Sequence, residues 1–297
     1  MRRVFPLLLL LALGCQPSGC SRPAPPADAP TVTDGLGRSV RVPKAPERVV
    51  SLSPAATEIL FAIGAGPKVV AGTEFDNFPE EAKALPKVGG FTPQSINVEA
   101  VLAHRPDLVV AGPQNEVIAA LEKFDIPVIA FGPKGVGAVA DDIELLGRVT
   151  GREGKAAEVA ADFRRRWEAE RRQPAGSRPK VLFVLADEPL ITCGSGTFID
   201  EIITAAGGQN VFADAGGEWP KVSDEQVLAR GCDVILCVEH VGGDAGGVPA
   251  RLKARPGWDR LAAVKTGRVH VIDADLITRP GPRLVDGLAA VEKALRE

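Results

Sequence analysis

Residues 97–110 and 223–236 align without a gap, and no other feature of the chain constrains its fold as much. Asn-Val-Glu-Ala-Val-Leu-Ala-His-Arg-Pro-Asp-Leu-Val-Val meets Ser-Asp-Glu-Gln-Val-Leu-Ala-Arg-Gly-Cys-Asp-Val-Ile-Leu. At a constant offset of 126, five positions are identical: Glu99/Glu225, Val101/Val227, Leu102/Leu228, Ala103/Ala229 and Asp107/Asp233. In each copy a polar residue (Asn97 or Ser223) is placed to cap a helix, and a glutamate falls in the first turn. Val and Leu then turn inward, and an Asp introduces the next strand. Phe91-Thr92-Pro93 precedes one copy and Trp219-Pro220 the other. The chain therefore reads as two equivalent halves.

Each half alternates short apolar runs with helical spacing. Val49–Leu52, Val69–Gly72, Leu108–Ala111 and Val128–Phe131 read as buried strands, and Ala55–Gly64 as a helix stopped by glycine. The second half repeats the scheme with Val181–Leu185, Asp233–Val238 and Val269–Ile272. Such alternation predicts an α/β fold, with parallel sheets covered on both faces. Between the halves, residues 138–173 carry helical spacing through Ile143, Leu146, Val149, Val159, Phe163 and Trp167. A single long helix joining two α/β lobes is expected, with a kink or split at Gly151-Arg152-Glu153-Gly154. Arg164-Arg165-Arg166 reads as its solvated face. The lobes then span 31–137 and 178–297.

The N-terminus addresses the chain. Met1-Arg2-Arg3 is basic, and Val4–Gly14 is apolar but too short to span a bilayer, the layout of a secretory signal over residues 1–14. Leu11-Ala12-Leu13-Gly14-Cys15 resembles a bacterial lipobox, which makes Cys15 the expected acylation site. Residues 15–30 are rich in Pro, Ser and Ala and suit an extended tether. After cleavage 33 basic residues would face 38 acidic ones, a net charge of −5, with no footprint for nucleic acid. The five cysteines form neither a disulfide framework nor a zinc ribbon, although one pair among Cys193, Cys232 and Cys237 can close.

Composition narrows the chemistry. The chain of 297 residues has no tyrosine and three histidines, His104, His240 and His270. Tyrosinate iron sites are excluded, and a His-rich metal cage nearly so. Cys193-Gly-Ser-Gly-Thr-Phe lacks the third glycine of a dinucleotide loop, because Ile199 stands there, and it does not satisfy a nucleophile elbow. No enzymatic site is expected, and no resident cofactor or metal. Glu99 and Glu225 have two readings. As helix-dipole partners they contribute about 0.3–1 kcal/mol each; as matching acidic knobs, a partner of two-fold symmetry with basic pockets can read both.

Several collinear blocks resemble the iron-siderophore/cobalamin class of solute-binding proteins of ABC importers. They are Arg48 to Gly64 with its Ser53-Pro54-Ala-Ala-Thr-Glu58, Leu85-Pro86-Lys87-Val88-Gly89-Gly90, Arg105-Pro106-Asp107-Leu108-Val109, and Trp219-Pro220 to Arg230. The cobalamin-binding branch is most similar. This resemblance implies two Rossmann-like lobes bridged by one rigid helix, a ligand held in the cleft between them with little hinge motion, and a monomer. It also implies one surface glutamate per lobe, Glu99 and Glu225, paired with arginines of a permease dimer. By the same resemblance, Pro54, Phe75, Phe91 and Trp219 face the macrocycle of the ligand, and Asp275 and Arg279 lie on a cleft loop whose polar groups bond it. Siderophore binders use basic clefts, for which Arg279 and Lys221 are candidates. Haem binders use an axial Tyr or His, which leaves His240.

Overall fold

The computed structural model describes residues 28–297 except Phe91, Gln114, 133–134, 173–175 and 240–246, and of Asn115 the backbone alone. The signal segment, Cys15, Cys20, most of the tether, Phe91 and His240 thus lie outside the described residues. An antiparallel hairpin of β1 (Thr31–Thr33) and β2 (Ser39–Arg41), which the sequence pattern did not suggest, opens the described chain. The first lobe follows as β3 (Val49–Leu52), α1 (Pro54–Ala62), β4 (Val69–Ala71), α2 (Val98–Ala103), β5 (Leu108–Ala111), α3 (Asn115–Glu122) and β6 (Val128–Ala130). Its four strands are parallel in the order β4-β3-β5-β6, with Val49 opposite Leu108 and Val109 opposite Val128. Strands covered on both faces favour apolar side chains, which is why they read as Val/Leu/Ile/Ala runs. The one exception, buried Ser51, has its hydroxyl bonded to the Ser53 carbonyl and the Thr57 hydroxyl. Pro54 occupies the first turn of α1, where a missing N–H costs nothing, and Gly64 at φ 76° ends the helix.

The connection between lobes differs from a single 36-residue helix. It is a hairpin of α4 (Val136–Thr150) and α5 (Glu153–Glu170), divided where the Gly-Arg-Glu-Gly interruption lies. Gly151 adopts the left-handed conformation at φ 69°, which lets the chain reverse. The two helices then pack antiparallel: Gly147 faces Ala156 so closely that an added Cβ would lie 2.2 Å from it. Arg164 of α5 reaches back to Asp141 at 2.9 Å and Glu144 at 2.6 Å on α4. The α5 helix alone carries the chain across, over about 27 Å at 1.5 Å per residue. One end of the hairpin meets the first lobe, where Lys68 Nζ donates to the Thr150 carbonyl at 3.2 Å. After α5, the Arg172 amide donates to the Ala205 carbonyl of the second lobe at 2.8 Å.

That lobe contains β7 (Lys180–Val184), β8 (Ala186–Asp187), β9 (Leu190–Ile191), α6 (Phe198–Ala205), β10 (Gln209–Asn210), α7 (Asp224–Arg230) and β11 (Val234–Glu239). It ends with α8 (Gly247–Lys253), α9 (Ala262–Lys265), β12 (Val269–Asp273), α10 (Ala274–Ile277) and α11 (Leu284–Arg296). The parallel order β10-β7-β11-β12 repeats that of the first sheet. Matching aspartates do the same work in both lobes. Asp107 accepts from the Glu47 and Arg48 amides at the start of β3, and Asp233 from the Lys180 amide at the start of β7. The repeat caps also agree, with Asn97 accepting from the Ala100 amide and Ser223 from the Gln226 amide. The antiparallel pair β8–β9 belongs to the second lobe alone.

One hydrophobic core runs through both lobes. Val49, Ile59 and Leu60 of the first lobe, Ile143, Leu146, Ala156 and Phe163 of the hairpin, and Phe183, Ile202 and Leu288 of the second belong to a single buried cluster. Separating the lobes on this side would expose that core to water, so the interdomain geometry is set by packing.

Candidate functional site

The segment that follows β4 in the first lobe meets the segment that follows β12 in the second, where Asn77 bonds both Asp275 and Arg279. Both leave the carboxyl ends of parallel strands, the edge at which open α/β sheets bind ligands. On the first lobe, Pro54 is buried at the head of α1. The loop after β4 is wound tightly around Asp76, whose carboxylate accepts from the Thr73 amide at 2.7 Å and the Thr73 hydroxyl at 3.1 Å. Burial pushes the Asp76 pKa up, against the pull of those bonds, the Thr57 hydroxyl and the Lys87 ammonium. Gly72 is required here, since an added Cβ would stand 2.0 Å from an Asp76 carboxylate oxygen. The result is that Phe75 is held outward with 44% of its surface exposed, beside Gly90.

On the second lobe, Trp219 is fixed from both sides. The Gly194 amide donates to the Glu218 carbonyl at 2.9 Å, and the Thr192 amide to the Pro220 carbonyl at 3.1 Å. An edge-on contact with Phe198, 6.4 Å between centroids at 67°, steadies the indole and leaves 39% of Trp219 exposed. The glycine motif after β9 explains this seat. A Cβ on Gly194 would lie 2.1 Å from the Gly217 carbonyl oxygen, so the motif admits the backbone that carries Trp219. Thr197 caps α6, accepting from the Asp200 amide.

Asp275 and Arg279 lie within a cross-lobe cluster that the sequence reading did not foresee. Arg279 Nη1 donates to Asn77 Oδ1 at 2.6 Å and reaches Glu58 Oε1 at 3.3 Å. Its Nη2 donates to the Phe75 carbonyl at 3.1 Å and pairs with Asp275 Oδ1 at 2.6 Å. Asp275 Oδ2 accepts from Asn77 Nδ2 at 2.7 Å. Arg283 closes the cluster with bonds of 2.6 and 2.9 Å to Glu58, and its guanidinium sits 3.9 Å over the Phe78 ring. Burial alone would lower the Arg283 pKa, but the Glu58 carboxylate and the neighbouring Asp275 and Asp273 hold it above its ordinary value. Both Nη groups of Arg279 are thus engaged in joining the lobes. Glu58 was visible as the lone acid in an apolar helix, yet its partners lie more than 200 residues away.

The two repeat glutamates are exposed in the first turns of α2 and α7, at equivalent places, and neither makes an ion pair among the described residues. The Ser223 hydroxyl holds the Glu225 carboxyl below its ordinary pKa. Cys193, Cys232 and Cys237 are free and buried, so no pair among them is closed, and burial pushes each thiol up to about 12. The arginine run is a solvated face, as expected: Arg165 pairs with Asp162 and Arg166 with Asp286.

The model of the family described as periplasmic binding protein matches residues 49–276. The chain belongs to this family. It is 34% identical over 250 residues to the vitamin B12-binding protein of Vibrio cholerae serotype O1, covering 82% of this chain and 87% of that one. It is 30% identical to the uncharacterized ABC transporter substrate-binding lipoprotein YvrC of Bacillus subtilis, covering 98% of this chain and 96% of that one. Among solved structures, the periplasmic heme-binding protein RhuT from Roseiflexus superposes with a TM-score of 0.75 at 30% identity, over 84% of this chain and 97% of that chain. For a periplasmic binding protein the glycine motif needs no catalytic reading. Gly194 admits the segment that carries Trp219, Gly196 turns the chain at φ 80°, and Thr197 caps α6. Among the described residues, no helix is long and apolar enough to cross a membrane.

Proposed function

We propose that this periplasmic binding protein captures a corrinoid outside the cytoplasm and delivers it to an ABC importer. The observation that carries the reading is the pair of exposed rings, Phe75 and Trp219, one from each lobe, on segments that leave the carboxyl ends of the strands. Large flat faces favour such rings, and neither brings a hydroxyl that would compete for a metal already coordinated by its macrocycle. On the family resemblance we also assign Pro54 and Phe91 to the apolar side of the site, and the Asp275–Arg279 loop to its polar end. The likeness to the Vibrio cholerae protein supports this choice of cargo. Haem is the second reading, favoured by the Roseiflexus likeness. It meets a chain without tyrosine, for which the sequence leaves His240 as the axial candidate. A ferric siderophore would need a basic cleft, and the Arg279 charge is already matched by Asp275 and Glu58.

Calorimetric titration of the mature protein with cyanocobalamin, haemin and a ferric hydroxamate separates these readings. Micromolar or tighter binding of cyanocobalamin alone is expected; binding of either iron ligand without cyanocobalamin overturns the corrinoid assignment. Delivery is assigned to Glu99 and Glu225, which present equal charges from equivalent helices to a permease dimer. Cys15 is assigned as the lipid anchor, with residues 15–30 as the tether and the protein acting as a monomer.

A further inference from the structure

The cluster around Glu58 is more elaborate than a lobe contact requires. Glu58 lies on α1 with 3% of its surface exposed, in a helix otherwise made of apolar and small residues. A carboxylate so buried is costly to desolvate unless its oxygens are matched, and here two guanidinium groups from the other lobe do so. Both arginines also hold the loop that follows β4. Arg279 fixes that loop by its backbone at the Phe75 carbonyl and by Asn77, while Arg283 covers the ring of Phe78. The C-terminal lobe therefore grips the aromatic loop of the N-terminal lobe, and Glu58 is the charge that draws both arginines to it.

We infer that Glu58 is a positioning residue for cargo binding, which acts through Arg279 and Asn77 to set where Phe75 presents its ring. It touches no cargo itself. The inference rests on Phe75 being a cargo contact, as proposed above. Without Glu58, Arg279 keeps Asp275, Asn77 and the Phe75 carbonyl, but both arginines lose their tie to α1, and the loop they hold can shift with them relative to the Trp219 face. Affinity then falls through Phe75, whereas a general loss of fold would weaken every contact alike.

A double-mutant cycle tests this, with cyanocobalamin affinity measured for the wild type, Glu58→Gln, Phe75→Ala and the double variant, beside urea midpoints for each. Glu58→Gln is expected to weaken binding about tenfold in the wild-type background and twofold or less once Phe75 is absent. Equal effects in both backgrounds, or no effect of Glu58→Gln on a wild type that binds, overturn the inference. Should Glu58→Gln fail to fold, Asn77→Ala removes the side-chain tie between Arg279 and the loop, and the same non-additivity with Phe75→Ala is expected. If the wild type does not bind cyanocobalamin, the corrinoid reading fails. The cycle is then run with whichever of haemin or ferric hydroxamate binds, and the positioning role stands or falls on that result.

Discussion

Asp142 gives the sharpest quantitative test of the structure. It lies on α4 with 6% of its surface exposed, and its Oδ2 has no hydrogen-bond partner among the described residues. Burial, assisted by the negative charge of Asp141 and opposed by the Gly132 amide, pushes its pKa from 3.8 up to about 7. The folded state thus binds the proton more tightly than the unfolded chain. Its stabilising effect is fully present below about pH 3.8 and is lost as pH rises through 7, with a total change of about 4 kcal/mol. Of that change, about 2.7 kcal/mol falls between pH 5 and pH 8.5.

Asp142→Asn removes the titration with almost no change of shape. The assay is urea unfolding of both proteins at pH 5 and pH 8.5, read as the difference between their midpoints. Because one core passes through both lobes, a single transition is expected. At a slope of about 3 kcal/mol per molar urea, the difference in midpoint should move by about 0.9 M in favour of the variant at the higher pH. Other groups titrate in both proteins and cancel. A midpoint difference unchanged between the two pH values would refute the argument, and would mean that Asp142 is solvated or paired in solution.

Three further outcomes are expected. Trp219→Ala should weaken cyanocobalamin binding by 10- to 60-fold in calorimetry, since about 100 Å² of exposed ring corresponds to about 2.5 kcal/mol when fully covered; an unchanged affinity would remove Trp219 from the site. Reversal of both Glu99 and Glu225 to Lys should cut uptake in cells at least tenfold while cargo affinity stays as it was, and surviving transport would dismiss the docking assignment. Cys15→Ser should shift the protein from the membrane fraction to the soluble extracytoplasmic fraction, and retention on the membrane would point to another anchor.

The parts of the fold that the sequence disclosed are those with dense local signals. Val49–Leu52 and Leu108–Ala111 were readable to the residue because a fully covered parallel strand is built almost wholly of apolar side chains, the one polar member, Ser51, being hydrogen-bonded. The equivalent glutamates emerged because a repeat compares the chain with itself. The hairpin of α4 and α5 was only half visible. Glycines at 151 and 154 marked a break, but the direction of the turn depended on the left-handed Gly151 and on Ala156 packing against Gly147. The cross-lobe cluster was hidden for a different reason. Glu58 and Arg279 are 221 residues apart, and a single pair of opposite charges at that separation leaves no periodicity. Asp275 and Arg279 were therefore expected as ligand contacts, while Glu58, Asn77 and Arg283, which give them their geometry, carried no role. For Gly194 the sequence could reject a dinucleotide loop, but its role as the close neighbour of the Gly217 backbone depends on a contact that no local pattern carries.

The hairpin side and the cluster side together bear on how the protein hands over its cargo. A shared hydrophobic core fixes the lobes on one side, and the Glu58 cluster ties them again beside the cleft. Large closure around the cargo would have to break buried ion pairs or expose that core, each costing several kcal/mol. Binding is then served by rings already in place, which saves the ordering cost of a mobile site. The distance between Glu99 and Glu225 is set by the same rigid frame, so it should be nearly the same in the empty and loaded protein. A permease reading these two charges alone cannot distinguish the two forms, because a partner shifts an equilibrium only by its differential affinity. Empty protein should therefore compete with loaded protein for the transporter. In proteoliposome uptake at fixed loaded protein, a tenfold excess of the empty form is expected to slow transport several-fold. If that excess leaves uptake unchanged, occupancy must alter the docking surface, and the rigid-frame account would have to give way to one in which the lobes move.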